Sequence, residues 1–304
     1  MPTSLVNGLR AIGEVIANGE QQGFLPTNLP GVRFFWANRP VPKMPLLYQA
    51  GIIIIGQGHK IGYLDGRRFR YDAENYLVVS VPIPFECETH ASLQEPLLGI
   101  FIDVGVAALR GVLERMGDHE ARTQFRAGDL PRGVEPAPLG PQMADATVRL
   151  LHCLASERDS RVLGPAIVDE LTYRVLLGPH GGALYGLTQV HQPYARVAAA
   201  LERIHRDCAE ARSVDDLARE AAMSVSAFHR AFKQVTGDSP HQYVKKIRLS
   251  RAHGMIAQDG VRVSDAARTV GYESPAHFSR DFKRYYGVPP SEIKESFVVG
   301  AVRR

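Results

Sequence analysis

Ala227–Pro240 reads AFHRAFKQVTGDSP, and fifty residues later His277–Pro290 reads HFSRDFKRYYGVPP. At that offset Phe228 matches Phe278, Arg230 matches Arg280, Phe232 matches Phe282, Lys233 matches Lys283, Gly237 matches Gly287 and Pro240 matches Pro290. Just upstream the offset is 49, aligning VDDLAREAAM (Val214–Met223) with VSDAARTVGY (Val263–Tyr272). One structural unit is therefore written twice, each copy reading as short helix, turn and longer helix. Ser224 and Ser274 are placed as N-caps of the longer helices, Pro275 suits a first helical position, and Gly237 and Gly287 suit left-handed stops.

The longer helices are two-faced. Phe228, Ala231, Phe232 and Val235 form an apolar stripe at i, i+3, i+4 and i+7, while Ser226, His229, Arg230 and Lys233 occupy another face. In the second copy Phe278, Phe282 and Tyr285 point inward, and Ala276, Ser279, Arg280 and Lys283 point outward. A small helix packed on a second helix that presents donors is what a helix-turn-helix needs to enter a major groove. A protein-interaction array with solvated cations is the competing reading, but such arrays use at least three units. Between the copies, Pro240–Gln258 reads as one helix with Tyr243, Ile247, Met255 and Ile256 largely to one side. At about 1.5 Å per residue it spans roughly 27 Å, suited to holding two recognition helices near the ~34 Å separation of successive major-groove segments.

Charge follows the repeat. Residues 1–189 hold 17 Lys and Arg against 19 Asp and Glu, whereas residues 190–304 hold 19 against 13. The basic excess in the repeated half suits an anionic partner, nucleic acid or membrane surface. With 304 residues, 45% hydrophobic and 22% charged, the chain can bury two cores. Its opening decapeptide lacks a signal peptide's basic patch and long apolar run, and GIIIIG (Gly51–Gly56) is too short to span a bilayer, so a cytoplasmic protein without membrane association is expected. Cys87, Cys153 and Cys208 lack CxxC spacing, which suggests neither a disulfide framework nor a zinc site.

Residues from about 200 to 297 resemble the DNA-binding domain of AraC/XylS-family transcription regulators, most specifically in AARTVGYESPAHFSRDFKRYYGVPPSEIK (Ala266–Lys294). The resemblance implies base or phosphate contact from Ser226, His229, Arg230 and Lys233, then from Ala276, Ser279, Arg280 and Lys283. Pro275 and Ala276 offer no side-chain donor at the leading edge of the second recognition helix, which implies apolar or backbone contact there. Arg280 and Lys283 have a blander alternative in surface ion pairs with Asp281 or Glu273, and His277 suits helix-start packing better than readout.

The amino-terminal half alternates short apolar runs with turns: VRFFWA, GIIIIGQG, NYLVVSV and LLGIFIDV, with a hairpin at Asp65-Gly66. A β-barrel or sandwich follows, then helices at VGVAALRGVLERM, QMADATVRLLHCLA and GPAIVDELTYRVLLG, with a Pro/Gly-rich connection from Gly117 to Pro141. This order, and LTYRVLLGPHGGALYGL in particular, resembles the cupin-like amino-terminal domain of a subgroup of AraC-type regulators. It implies small-molecule sensing and a homodimer.

The expected chain is α+β. Residues 1–190 form a cupin-like sensing β-barrel with a helical dimerisation segment, and residues 191–304 form an all-α DNA-binding domain of two helix-turn-helix units joined by a linker helix. Tyr48, His59, Arg70 and Cys87 are the candidate effector-binding residues. Promoter DNA, RNA polymerase and an unidentified small molecule are the expected partners, and no cofactor is expected. Regulation of transcription is the expected output, with activation and repression both open. Val148, Leu151, Leu154, Leu171 and Val175 are candidates for the dimer face, with core packing as the alternative.

Three further readings stay weighed. A metal-dependent cupin enzyme with a DNA-binding tail would need clustered His and carboxylate ligands, whereas His59 and His90 each lack a nearby second histidine. Cys87, flanked by Glu86 and Glu88, suits a core thiol better than a sensor. GRRFRY offers an anion clamp from Arg67, Arg68 and Arg70, with a solvated hairpin edge favoured over it.

Overall fold

The fold is described from a computed structural model over residues 5–10, 21–117, 125, 130–210 and 213–293. Helical residues 5–10 (α1) precede nine strands: β1 Gln22–Pro26, β2 Val32–Ala37, β3 Val41–Tyr48, β4 Gly51–Gln57, β5 His59–Leu64, β6 Arg67–Asp72, β7 Asn75–Val79, β8 Ile83–His90 and β9 Leu97–Asp103. After α2 (Val106–Met116) and β10 (Val134–Pro138) the chain is helical. It runs through α3 (Pro141–Leu154), α4 (Glu157–Val162), α5 (Gly164–Leu177), α6 (Gly181–Thr188), α7 (Pro193–Arg206), α8 (Val214–Glu220), α9 (Val225–Thr236), α10 (Pro240–Ala257), α11 (Val263–Thr269) and α12 (Pro275–Tyr286).

Two antiparallel sheets face each other without closing. One has the order β1-β2-β9-β4-β7-β10 and the other β3-β8-β5-β6. Their β10 and β6 edges are tied by Arg67, whose guanidinium donates to both Glu135 oxygens at 2.7 and 3.1 Å. That bridge occupies one arginine of the less favoured anion clamp, and Arg70 is bonded to Asp72 at 2.6 Å, so GRRFRY forms a hairpin edge. Asp65 and Gly66 both have positive φ, 51° and 72°, as a two-residue type I′ hairpin requires.

Strand β4 is buried on both faces because each face has its own cover. Ile53 and Ile55 enter the space between the sheets, while Ile52 and Ile54 pack with α2, α3 and α5 through Leu109, Leu150 and Val175. Strands β3 and β10 were hidden in the sequence by Pro42, Pro45, Pro136 and Pro138. Both lie at sheet edges, where a missing N–H is tolerated. Strand β10 therefore corrects the loop expected between Gly117 and Pro141, much of which lies outside the described residues.

The stripe proposed for dimerisation is corrected too. Leu151, Leu154, Leu171 and Val175 are buried in the monomer between the helices and the six-stranded sheet, with Val148 packed beside them. The linker helix α10 also departs from a one-sided reading. Tyr243 and Ile247 pack toward the sandwich and α7, whereas Leu249 and Ala252, with Met255 and Ile256 beside them, pack under the second unit. Two partners on different sides of one helix remove the single stripe that periodicity looks for.

Candidate nucleic-acid interface and effector pocket

Each recognition helix is fixed at both ends by its own sequence. Ser224 Oγ accepts from the Ala227 N–H at 3.3 Å and Ser274 Oγ from the His277 N–H at 3.3 Å. Gly237 and Gly287 close α9 and α12 at φ 78° and 79°, each N–H returning to the Lys233 or Lys283 carbonyl at 2.8 Å. Inside, Phe228–Phe232 and Phe278–Phe282 repeat nearly the same ring geometry, with centroids 5.4 Å apart in both units. The duplicated sequence thus gives a duplicated helix whose inner face is filled by two buried phenylalanines.

Outward, Ser226, His229, Arg230 and Lys233 are exposed on α9, as are Ala276, Arg280 and Lys283 on α12, with Ser279 partly covered. Asp281 turns inward, to Lys245 and Arg284, so the acid that could have neutralised Arg280 is engaged elsewhere. His277, with its side chain 60% exposed, lies 3.5 Å from Asp281 through Nε2 and edge-on to Tyr272. The sequence offers Asp281 as a surface partner of Arg280 and gives no sign of Lys245, although the mismatch of Asp281 with Ala231 at the fifty-residue offset is a readable signal of an inward role.

The four candidate effector residues separate into two places. Tyr48 and Cys87 lie between the sheets with Tyr71: the two phenol oxygens are 2.5 Å apart, and Cys87 Sγ is 3.5 Å from Tyr48 Oη and 3.2 Å from Tyr71 Oη. Burial raises both phenols well above the ordinary range. Lys60 completes this group. Its side chain is 1% exposed, Nζ lies 5.6 Å from the centre of the Tyr48 ring, and burial lowers its pKa.

His59 and Arg70 instead rim a cleft of about 1130 Å³ at one end of the sandwich. There His59 and His90 stack at 4.4 Å with planes 5° apart, and His90 Nε2 lies 3.1 Å from Glu88. Burial first, then the nearby Arg70, lowers the His59 pKa. Gln57 accepts Arg10 Nε and Nη2 at 3.2 and 2.9 Å, leaving its buried amide Nε2 without a protein acceptor. Among the described residues, no group of three or more His, Cys, Asp or Glu gathers with the geometry to hold a metal ion.

Residues 28–183 match the family described as AraC-type transcriptional regulator N-terminus. The chain belongs to that family. Residues 217–296 match a helix-turn-helix domain family, which covers both duplicated units. Among curated relatives, a putative AraC-like transcription regulator of Streptomyces lividans is 35% identical over 99 residues, 33% of each chain. The HTH-type transcriptional regulator ArgR of Pseudomonas aeruginosa is 26% identical over 148 residues, 48% of this chain and 45% of that protein. These matches span less than half of either relative's length. In fold, the chain resembles ToxT of Vibrio cholerae solved with an unsaturated fatty acid, with a TM-score of 0.58 at 13% identity over 89% of this chain and 98% of that one. The two-part architecture of sheet-rich amino-terminal half and duplicated helix-turn-helix half is thus an AraC-type regulator's. Among the described residues, no helix is long and apolar enough to cross a membrane.

Proposed function

We propose that this AraC-type regulator reads promoter DNA with α9 and α12 in adjacent major-groove segments and answers to a small-molecule effector held by its amino-terminal half. The carrying observation is the duplicated module: two capped helices, each with a phenylalanine-fixed inner face and an outer Arg and Lys at matching positions. Residues 1–190 serve as the sensing and dimerising part and residues 191–304 as the DNA-binding part. The cleft carrying His59, Arg70 and the buried, unpaired amide of Gln57 suits a polar effector, and Tyr48 and Cys87 lie in the separate space between the sheets. ToxT, alike in fold, was solved with an unsaturated fatty acid; the polar rim here favours a different ligand chemistry. Homodimerisation is assigned to the outer face of α4 and α5, where Val162, Leu163, Tyr173 and Leu177 are exposed. Work in the cytoplasm, contact with RNA polymerase and regulation rather than metal-dependent catalysis complete this reading.

Arg230 and Lys233 test it. Arg can donate two parallel hydrogen bonds to guanine O6 and N7, so Arg230→Ala should cost about 1–3 kcal/mol and relax preference at one base pair. Lys233 lies farther from the helix start, where α9 leaves the groove. Lys233→Ala should weaken all sequences alike and shallow the salt dependence by about one counterion. Affinities on a duplex selected by the wild-type protein, and on its single-base variants across a salt series, decide between them. Equal, sequence-blind losses for both variants would remove Arg230 from base reading.

A further inference from the structure

At the fifty-residue offset, the inward position held by Ala231 in α9 is held by Asp281 in α12. Both are buried, Ala231 at 7% and Asp281 at 3% exposure. The same helix-turn-helix packing accepts a methyl group there, so the carboxylate is an addition peculiar to the second unit. A buried carboxylate is costly unless paired and hydrogen-bonded, which makes its partners informative.

Those partners come from three elements. Lys245 Nζ of α10 lies 2.7 Å from Oδ1, the Tyr272 hydroxyl donates to Oδ2 at 3.3 Å from the turn before α12, and Arg284 and His277 approach from α12 itself. One turn along α10, Arg248 donates to the Cys208, Ala209 and Glu210 carbonyls in the loop after α7 and to the Gly271 carbonyl in the second unit's turn, at 2.7 to 3.4 Å. The linker therefore holds the second unit by a guanidinium at its turn and by an ammonium on its recognition helix. At the matching position the first unit has the methyl group of Ala231, which offers an ammonium nothing to pair with.

We propose that Asp281, through Lys245, is a positioning residue for DNA reading, fixing the roll of α12 so that Ser279, Arg280 and Lys283 face the groove. A helix turns about 100° per residue, so a roll of a fraction of that angle is enough to swing Ser279, Arg280 and Lys283 away from the base edges they would face. The inner pair Phe278 and Phe282 supplies packing, whereas the ion pair adds a directional constraint that apolar contact lacks. This inference rests on α12 being a DNA-reading helix.

The experiment uses full-length protein and a duplex that the wild type selects from a random pool. Asp281→Ala, which installs the first unit's residue, and Lys245→Met should each lower affinity about tenfold. Hydroxyl-radical protection should weaken only over the half covered by the second unit, and base preference at the Arg280 contact should flatten. The double variant should be no worse than either single one, and the salt slope should stay unchanged, which a lost phosphate contact would not allow. Melting curves restrict the comparison to temperatures at which every variant is folded. Additive losses, losses spread evenly over both halves, or wild-type footprints from both single variants would overturn the proposal. Arg280→Ala separates the two failures. If it erases protection while the Asp281 and Lys245 variants do not, the positioning role alone falls; if it too has no effect, α12 does not read DNA and both readings fall.

Discussion

Lys60 carries the most unusual environment of any single residue in the sandwich. Its ammonium would sit between two apolar sheets beside the Tyr48 ring, with the tyrosine hydroxyls already facing each other and Cys87. Burial lowers its pKa below the ordinary lysine value of 10.5, so folding is opposed by the cost of deprotonating or desolvating the amine. The unfolded chain binds the proton more tightly, so this contribution makes stability rise with pH up to about 10.5. Lys60→Met keeps the volume and removes the amine; it should stabilise the fold by roughly 1–3 kcal/mol at neutral pH and remove that rise. Denaturant titrations of both proteins at two alkaline pH values check it, and a destabilised Met variant would show that the amine is satisfied by contacts of its own. Tyr48 and Cys87 of this cluster are legible in the sequence, whereas Lys60 is not. In HKIGYL its inward direction depends on which register β5 takes against β8, and only the pairing of Lys60 with Thr89 fixes that.

At the scale of the element, the recognition helices were legible because everything that makes them is local. A serine cap, a phenylalanine pair and a glycine stop lie within fourteen or so residues, and each acts through the backbone of its own helix. Helix α10 was legible in length but not in facing, because its two sets of apolar residues serve partners that are remote in sequence. His253 belongs to that second set. It is 2% exposed, stacks on Tyr286 at 4.6 Å, and burial pushes its pKa down to about 4. Below pH 6.5 the unfolded chain takes up this proton while the folded chain refuses it until about pH 4, so stability falls as pH drops through that window. Going from pH 7 to pH 5 should cost about 2 kcal/mol from this residue alone. His253→Leu should lose correspondingly less in urea titrations at the two pH values; identical losses would place the acid sensitivity elsewhere.

Across the whole molecule, the two duplicated units are not equivalent partners of the sandwich. Phe228, Phe232, Tyr243 and Ile247 share one continuous apolar cluster with Phe85, Tyr48 and Ile83 of the sheets, whereas Phe278 and Phe282 close a separate cluster of their own. Polar ties follow the same division: the Tyr243 hydroxyl donates to the Pro82 carbonyl at 2.5 Å, the Gly133 N–H to the Val235 carbonyl at 2.8 Å, and Gln234 Nε2 to the Leu130 carbonyl at 2.7 Å. Composition and charge divided the chain near residue 190, yet they could not show this sharing, because the residues on the two sides are individually ordinary core residues. Residues 191–304 made alone contain both units and the linker and should still bind DNA, but with unequal order. Removing the sandwich strips apolar cover and three backbone-directed hydrogen bonds from the first unit and its end of α10, while the second unit keeps its own core. Amide exchange should therefore be much faster in α9 than in α12 of the fragment, and more nearly equal in the full chain. Equal protection of α9 and α12 in the isolated fragment would mean that the first unit is self-sufficient, and that a signal from the sandwich cannot reach DNA by loosening it.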